Sequence, residues 1–306
     1  MILKSIFSFL LFLVCRSFVF GGDLLEEDYE LIFKTQPIEV LIKYVTPYYK
    51  DAKPVFDKVN SIYRVKFSGG SIIEESRGKS IDEIDYIKKY RYIKEPSEIK
   101  KFCDEIYQKY QTNEIESLCV SEIKKKNLKM ILLEMLDDSI FKASFEVNLG
   151  DIIKKYVFDL EFNLESFIEI KNKGNTVEEN HYDSSGVLRS KIIRKKEKLF
   201  EEKSLYENEI LKKKILKEYR LDNTIRKKTI LDYMPDGSVS SKIISEYNTS
   251  LLEDIRYYYD SNQKIYKKIK YEYEFDKKGN WIKMIGYDIT NDKKIISSAV
   301  IREIKY

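Results

Sequence analysis

Histidine is almost absent. The 306 residues hold one, His181. That excludes a metal centre built on paired imidazoles, and a Ser-His-Asp relay would hang on a single residue beside a turn. No Gly-x-Ser-x-Gly elbow occurs. Cysteine is nearly as scarce, with three residues and no C-x-x-C or zinc spacing. Gly69 and Gly70, flanked by serines, lack the spacing and the following helix of a phosphate-binding loop. An excess of one charge is also missing. Lys and Arg number 55 against 51 acids, a net charge of +4, and two of those positive charges (Lys4, Arg16) fall in the leader. A nucleic-acid binder needs a basic footprint, so nucleic acid is not an expected partner. No cofactor motif appears. What remains is 43% hydrophobic and 35% charged, enough to build a core.

The most ordered signal lies in residues 182–306. Tyr206, Tyr219, Tyr233 and Tyr247 recur every 13 or 14 residues, as do Tyr259, Tyr273 and Tyr287. These seven form the core of a repeat. Turn formers separate them, among them Asp183-Ser-Ser-Gly186, Pro235-Asp-Gly237 and Asp276-Lys-Lys-Gly-Asn280. Within Ile265–Phe275, Ile269, Tyr271 and Tyr273 fall on one parity and Lys268, Lys270, Glu272 and Glu274 on the other. That alternation predicts a strand with one apolar face. Connections this short force antiparallel pairing. The lysine-dense units read as a wet sheet face, with a long helix over 191–217 as the rival.

Tyr182-Asp-Ser-Ser-Gly-Val-Leu188 and Phe275-Asp-Lys-Lys-Gly-Asn-Trp281 resemble the core of bacterial YD (RHS-type) repeats, with Tyr259-Asp-Ser-Asn-Gln-Lys-Ile265 a weaker copy. The resemblance spans residues 182–306 and implies a long antiparallel sheet in an exported protein. It carries no catalytic residue.

At the other end, Lys4 precedes an apolar run from Ile6 to Cys15, and Gly21-Gly22 follows. The run is too short to span a bilayer and has the flanks of a secretory signal, so residues 1–21 are expected to be removed. The alternatives are a retained anchor, or lipidation of Cys15 as in a lipoprotein. In residues 22–138 helices are expected. Ile38–Thr46, between Pro37 and Pro47, has Ile38, Leu41 and Ile42 at helical spacing. Ile99, Phe102, Cys103, Ile106, Tyr107 and Tyr110 form one apolar face of a helix over 97–110. A second helix from Asn113 would complete an αα hairpin near 97–124. Cys103 and Cys119 then sit on inward faces about equally far from the turn, as a disulfide requires; two buried free thiols are the alternative. Leu128–Leu136 reads equally as strand or helix.

These readings give an α+β fold: a mainly helical region (22–138), then an antiparallel β-repeat sheet (139–306), either open or curled into a half-barrel. Glu179, His181 and Asp183 share a strand face, which suits either a weak cation site or a polar hairpin edge. With 51 acids no catalytic carboxylate pair can be selected. The leading expectation is a non-enzymatic protein of the periplasm or cell surface, a scaffold for a protein or other envelope component. A carrier for an acyl chain or lipoprotein is the alternative, with lipid as its partner. A glycan-acting enzyme is the third reading.

Overall fold

The computed structural model describes residues 37–306, apart from 51–52, 70, 111–118, 120–121, 123–126, 137–138 and 292. The expected leader (1–21) and Cys15 lie outside the described residues, as does most of the expected second helix. The chain divides into two compact units. The first comprises the residues up to Tyr90 with Glu272–Ile285 and Ile296–Tyr306, and the second comprises Arg91–Tyr271 with Gly286–Ile295.

The first unit is built around β1 (Glu39–Val45), which pairs on one side with β4 (Val59–Ser68) and on the other with β20 (Ile295–Lys305). Between β1 and β4 lies a small hairpin of β2 (Tyr48–Lys50) and β3 (Lys53–Val55). From β4 the sheet continues through β5 (Ser71–Gly78) to β6 (Ile84–Ile93). The helix expected over Ile38–Thr46 is thus a strand. Val40, Leu41 and Ile42 are buried in succession, so this strand is covered on both faces. A run of apolar residues does not alternate and cannot be told from a helix by period. On one face Arg302 is buried and its guanidinium lies 3.3 Å from the Trp281 ring centroid.

The second unit holds α1 (Pro96–Tyr110), the single long helix among the described residues, on the span its apolar periodicity marks. Pro96 opens it and Glu98 sits in its first turn, both favourable at a helix start. The strands of this unit run in sequence order. β7 (Leu128–Leu136) pairs with β8 (Ser139–Asn148), β8 with β9 (Ile152–Phe158), and β9 with β10 (Leu164–Lys173). β11 (Thr176–Asp183), β12 (Leu188–Glu197), β13 (Phe200–Glu207) and β14 (Ile210–Tyr219) follow. Then come β15 (Ile225–Tyr233), β16 (Val239–Tyr247), β17 (Glu253–Tyr259) and β18 (Ile265–Phe275). Residues 191–217 are therefore strands, not a helix. The core sits where α1 meets one face of β7–β9. Ile99, Phe102, Cys103 and Ile106 join Ile131, Leu133, Phe145, Val147, Phe158 and Phe162 in one buried cluster.

With β19 (Trp281–Asp288), the strands form one 18-stranded antiparallel sheet. Because β1 pairs with both β4 and β20, and β9 with β10, the pairings return to their starting point. This is the strand topology of a closed antiparallel barrel. It corrects the expected α+β fold and the open or half-barrel meander. The region expected to be helical supplies strands β1–β7 and only one described long helix. The closing pairs, such as Glu39 with Lys305, join opposite ends of the chain and leave no local trace in sequence.

One turn recurs seven times among the described residues, at 159–163, 183–187, 220–224, 234–238, 248–252, 260–264 and 276–280. In each, the first amide donates to the carbonyl of the fifth residue and the fourth amide donates back to the first carbonyl. The fourth residue is left-handed: Phe162, Gly186, Asn223, Gly237, Leu251, Gln263 and Gly279 all have φ between 61° and 84°. An Asp or Asn oxygen at the first or third position accepts further amides, as Asp183 Oδ1 does from Ser185 and Val187. Replacing Gly237 (φ 84°) with valine should cost about 1–2 kcal/mol, although a Cβ there meets no atom within 4 Å. Replacing the exposed Gln263 (φ 61°) with glycine should stabilise by about 0.5–1 kcal/mol. Urea melts of the two variants check both signs.

Candidate functional surface

Five of the seven repeat tyrosines, Tyr206, Tyr219, Tyr233, Tyr247 and Tyr259, stand next to these turns or to bulges. Tyr219, Tyr233, Tyr247 and Tyr259 each end their strand. The ladder shifts register immediately before each of them, and before Tyr182 and Tyr206 as well. The period is therefore one strand plus one bulged turn. All seven are half-buried, and none belongs to the buried core. Four of them engage charged groups or an aromatic neighbour: the Tyr219 hydroxyl donates to Glu201 (2.8 Å), Lys242 lies 4.7 Å from the Tyr259 ring, Lys294 lies 4.0 Å from that of Tyr287, and Tyr273 meets Trp281 edge-on. These are packing roles, and no platform for a ligand arises from them.

Registers assign every laddered residue of β10–β18 to one of two faces. The first face carries Glu169, Glu178, Lys191, Lys214, Glu218 and Lys227. Its charges interlock, all but Lys171 across strands: Lys154 and Lys171 with Glu169, Lys173 and Lys191 with Glu178, Lys214 with Glu202, Arg226 and Lys227 with Glu218. The second face carries Glu179, His181, Arg194, Lys203, Lys213, Lys217 and Lys228. The charges sit mid-strand on both parities: Lys213 and Lys214 are adjacent, as are Lys227 and Lys228.

His181 Nε2 lies 2.8 Å from Glu179 Oε1, and Arg194 Nη2 lies 3.0 Å from Glu179 Oε2. Burial pushes the Glu179 carboxyl up, but the His181 hydrogen bond and the nearby cations outweigh it and hold the group below its usual range. Asp183 is engaged elsewhere, on Ser185, Val187 and Arg189 in its own turn. The Glu179–His181–Asp183 face is thus an ion-paired hairpin edge. No cluster of three potential metal ligands occurs among the described residues. Cys103 and Cys119 form a disulfide with their Cα atoms 6.1 Å apart, inside the core cluster. Sequence reasoning missed the apolar row described below, because strand register is not visible in a single chain.

The turn carboxylates make acid sensitivity predictable. The Ser185 hydrogen bond, with Val187 and Arg189, holds Asp183 at about 2, and Lys191 with Asn180 holds Glu178 at about 2. Asp222 and Asp236 are lowered by Thr224 and Ser238. Folded values below the unfolded ones of about 4 mean stability is complete above pH ~4 and is lost as pH falls towards 2. The urea midpoint should be level between pH 7 and 5 and drop between pH 4 and 2. A midpoint unchanged down to pH 2 would contradict these turn contacts.

No family model matches the chain, and no curated protein matches it. The YD-repeat resemblance is accordingly corrected: the aromatic-Asp-x-x-Gly segments mark a bulged hairpin turn, and their strands belong to a closed pairing scheme. Among solved structures, the fold is similar to a porin-like protein from Bacteroides uniformis, at 9% identity and a TM-score of 0.39, covering 88% of this chain and 96% of that one.

Proposed function

We propose that the chain is a non-enzymatic protein of the cell envelope, an interaction scaffold that works in water. The observation that carries this reading is the mid-strand charge on both faces of β12–β15. A strand facing lipid alternates apolar-out and polar-in, and each Lys or Arg at the bilayer midplane costs about 2–4 kcal/mol. Turning either face to lipid would bury Lys214 and Lys227, or Lys213, Lys217 and Lys228. The buried Cys103–Cys119 bond supports an oxidising compartment. So does the short apolar run Ile6–Cys15 behind Lys4, which has the pattern of a secretory leader.

The test is expression of the full chain with its own leader in a bacterial host, followed by fractionation. The expected result is a disulfide-bonded protein outside the cytoplasm, starting near Gly22, and released by alkaline carbonate without detergent. Recovery with reduced thiols in the cytoplasm would overturn the compartment. A requirement for detergent would overturn the aqueous placement of both faces.

A further inference from the structure

The registers of β12–β17 line up one unbroken apolar row. On the face of Arg194 and Lys228, Ile215 stands opposite Ile230, Ile230 opposite Ile243, and Ile243 opposite Tyr258. One diagonal step from Ile215 lies Leu205, itself opposite Ile192. The row crosses all the strands from β12 to β17 and is about 25 Å long. On the other face every row across β14–β17 is broken by a polar residue. There Leu231 lies between Lys214 and Lys242, Thr229 between Leu216 and Ile244, and Lys227 between Glu218 and Glu246.

From β14 to β17 the row is a single residue wide. Lys213, Asp232 and Ser241 flank it on one side, with Asp232 taking both the Lys213 ammonium (3.5 Å) and the Ser241 hydroxyl (2.7 Å). Lys217, Lys228, Ser245 and Arg256 flank it on the other. Arg256 is held by both oxygens of Glu253 at 2.7 Å. These groups keep the partners they have. What they offer the row is the methylene stems of the long side chains. Ile215 is buried, at 6% exposed, and Ile192, Leu205, Ile230, Ile243 and Tyr258 are half-buried. None of these residues belongs to the buried cluster under α1. Tyr258 ends the row, its ring tilted against Tyr266 (6.2 Å) with the Lys267 ammonium 5.8 Å away.

A partner protein needs a broad contact, on the order of 800 Å² per side, and a strip between two polar rails does not provide its apolar centre. A hydrocarbon chain fits the strip in both dimensions, since an extended palmitoyl chain is one methylene wide and about 19 Å long. We propose that this row binds a single extended acyl chain, laid across the strands along Ile192, Leu205, Ile215, Ile230, Ile243 and Tyr258. Burial of the chain against these side chains supplies the affinity, and the polar rails hold it to one line. The site would exist in any compartment, so it stands apart from the envelope reading.

The test is calorimetric titration of the full chain, carrying its disulfide, with palmitate, with octanoate and with palmitoyl-lysophosphatidylcholine, each below its critical micelle concentration. Palmitate should bind, and octanoate at least a hundredfold more weakly, since each buried methylene is worth about fourfold in affinity. The lysolipid should bind as well, because the chain and not the head is held, and the tighter of the two palmitoyl ligands identifies free acid or membrane lipid as the source. Ile243→Thr should weaken palmitate at least fivefold. Ile244→Thr, the same change one residue along β16 on the opposite face, should alter it less than twofold. Should Ile243→Thr not fold, Ile243→Val takes its place, with an expected loss of about threefold. No palmitate binding, affinity independent of chain length, or equal losses from the two faces would each overturn the site. So would a dimer of the free chain that Ile243→Thr dissociates, since a second copy would then cover the row. Palmitate binding by a protein found in the cytoplasm would leave the site standing and sink only the envelope reading.

Discussion

Truncating Phe145 to alanine should destabilise the protein by about 4 kcal/mol, the largest single effect expected of an apolar substitution here. Phe145 is fully buried in β8. Its ring meets Phe158 edge-on at 5.0 Å and lies 6.4 Å from Phe102 of α1. Its backbone register sets it between Ile131 and Tyr156. Removing the ring takes away the surface on which α1 rests, and a rigid sheet closes the resulting cavity poorly. Phe141, four residues earlier in the same strand, is 41% exposed, and its replacement by alanine should cost under about 1 kcal/mol. The urea midpoints of the two variants decide. Equal losses would mean that the helix does not pack on this face.

Replacing Cys103 and Cys119 together by alanine should cost about 3 kcal/mol. The bond joins residues 16 apart, and a loop of that length restrains the unfolded chain by about that amount. Both sulfurs are buried beside Ile99 and Phe102, so alanine also gives up a little packing. Unfolding of the oxidised wild type should therefore be compared with that of the double variant and of the wild type reduced under denaturing conditions. If all three melted together, the bond would contribute nothing beyond filling space.

How much of this was legible in the sequence depended on how local the determinant was. The turns at Asp183–Gly186 and Pro235–Gly237 could be read because a left-handed residue there is glycine, which has no Cβ to clash. The turns through Phe162, Leu251 and Gln263 have the same geometry but hide it behind side chains that rarely adopt it. The α1 helix was readable because only one of its faces is covered, which preserves the 3.6-residue period. In β1 and β7 both faces are covered, so Val40–Ile42 and Ile131–Leu133 are buried in unbroken runs and periodicity fails. The site was less legible than the fold. Ile192 and Leu205 look like ordinary alternating apolar residues until the β12–β13 register sets them opposite each other. That register is set by the two-residue turn at Lys198 and Leu199, which pairs Glu197 with Phe200.

The bulged turn that closes each tyrosine unit also restricts how such a chain can lengthen. A unit is a single strand, so duplicating one would send every later strand in the opposite direction and exchange the ends at which its turns emerge. Duplication of two units, about 27 residues from Tyr206 to Tyr233, restores the direction and keeps a closed antiparallel ring even in number. Gene segments encoding hairpins, rather than single strands, are therefore the increments by which this architecture can grow or shrink in descent.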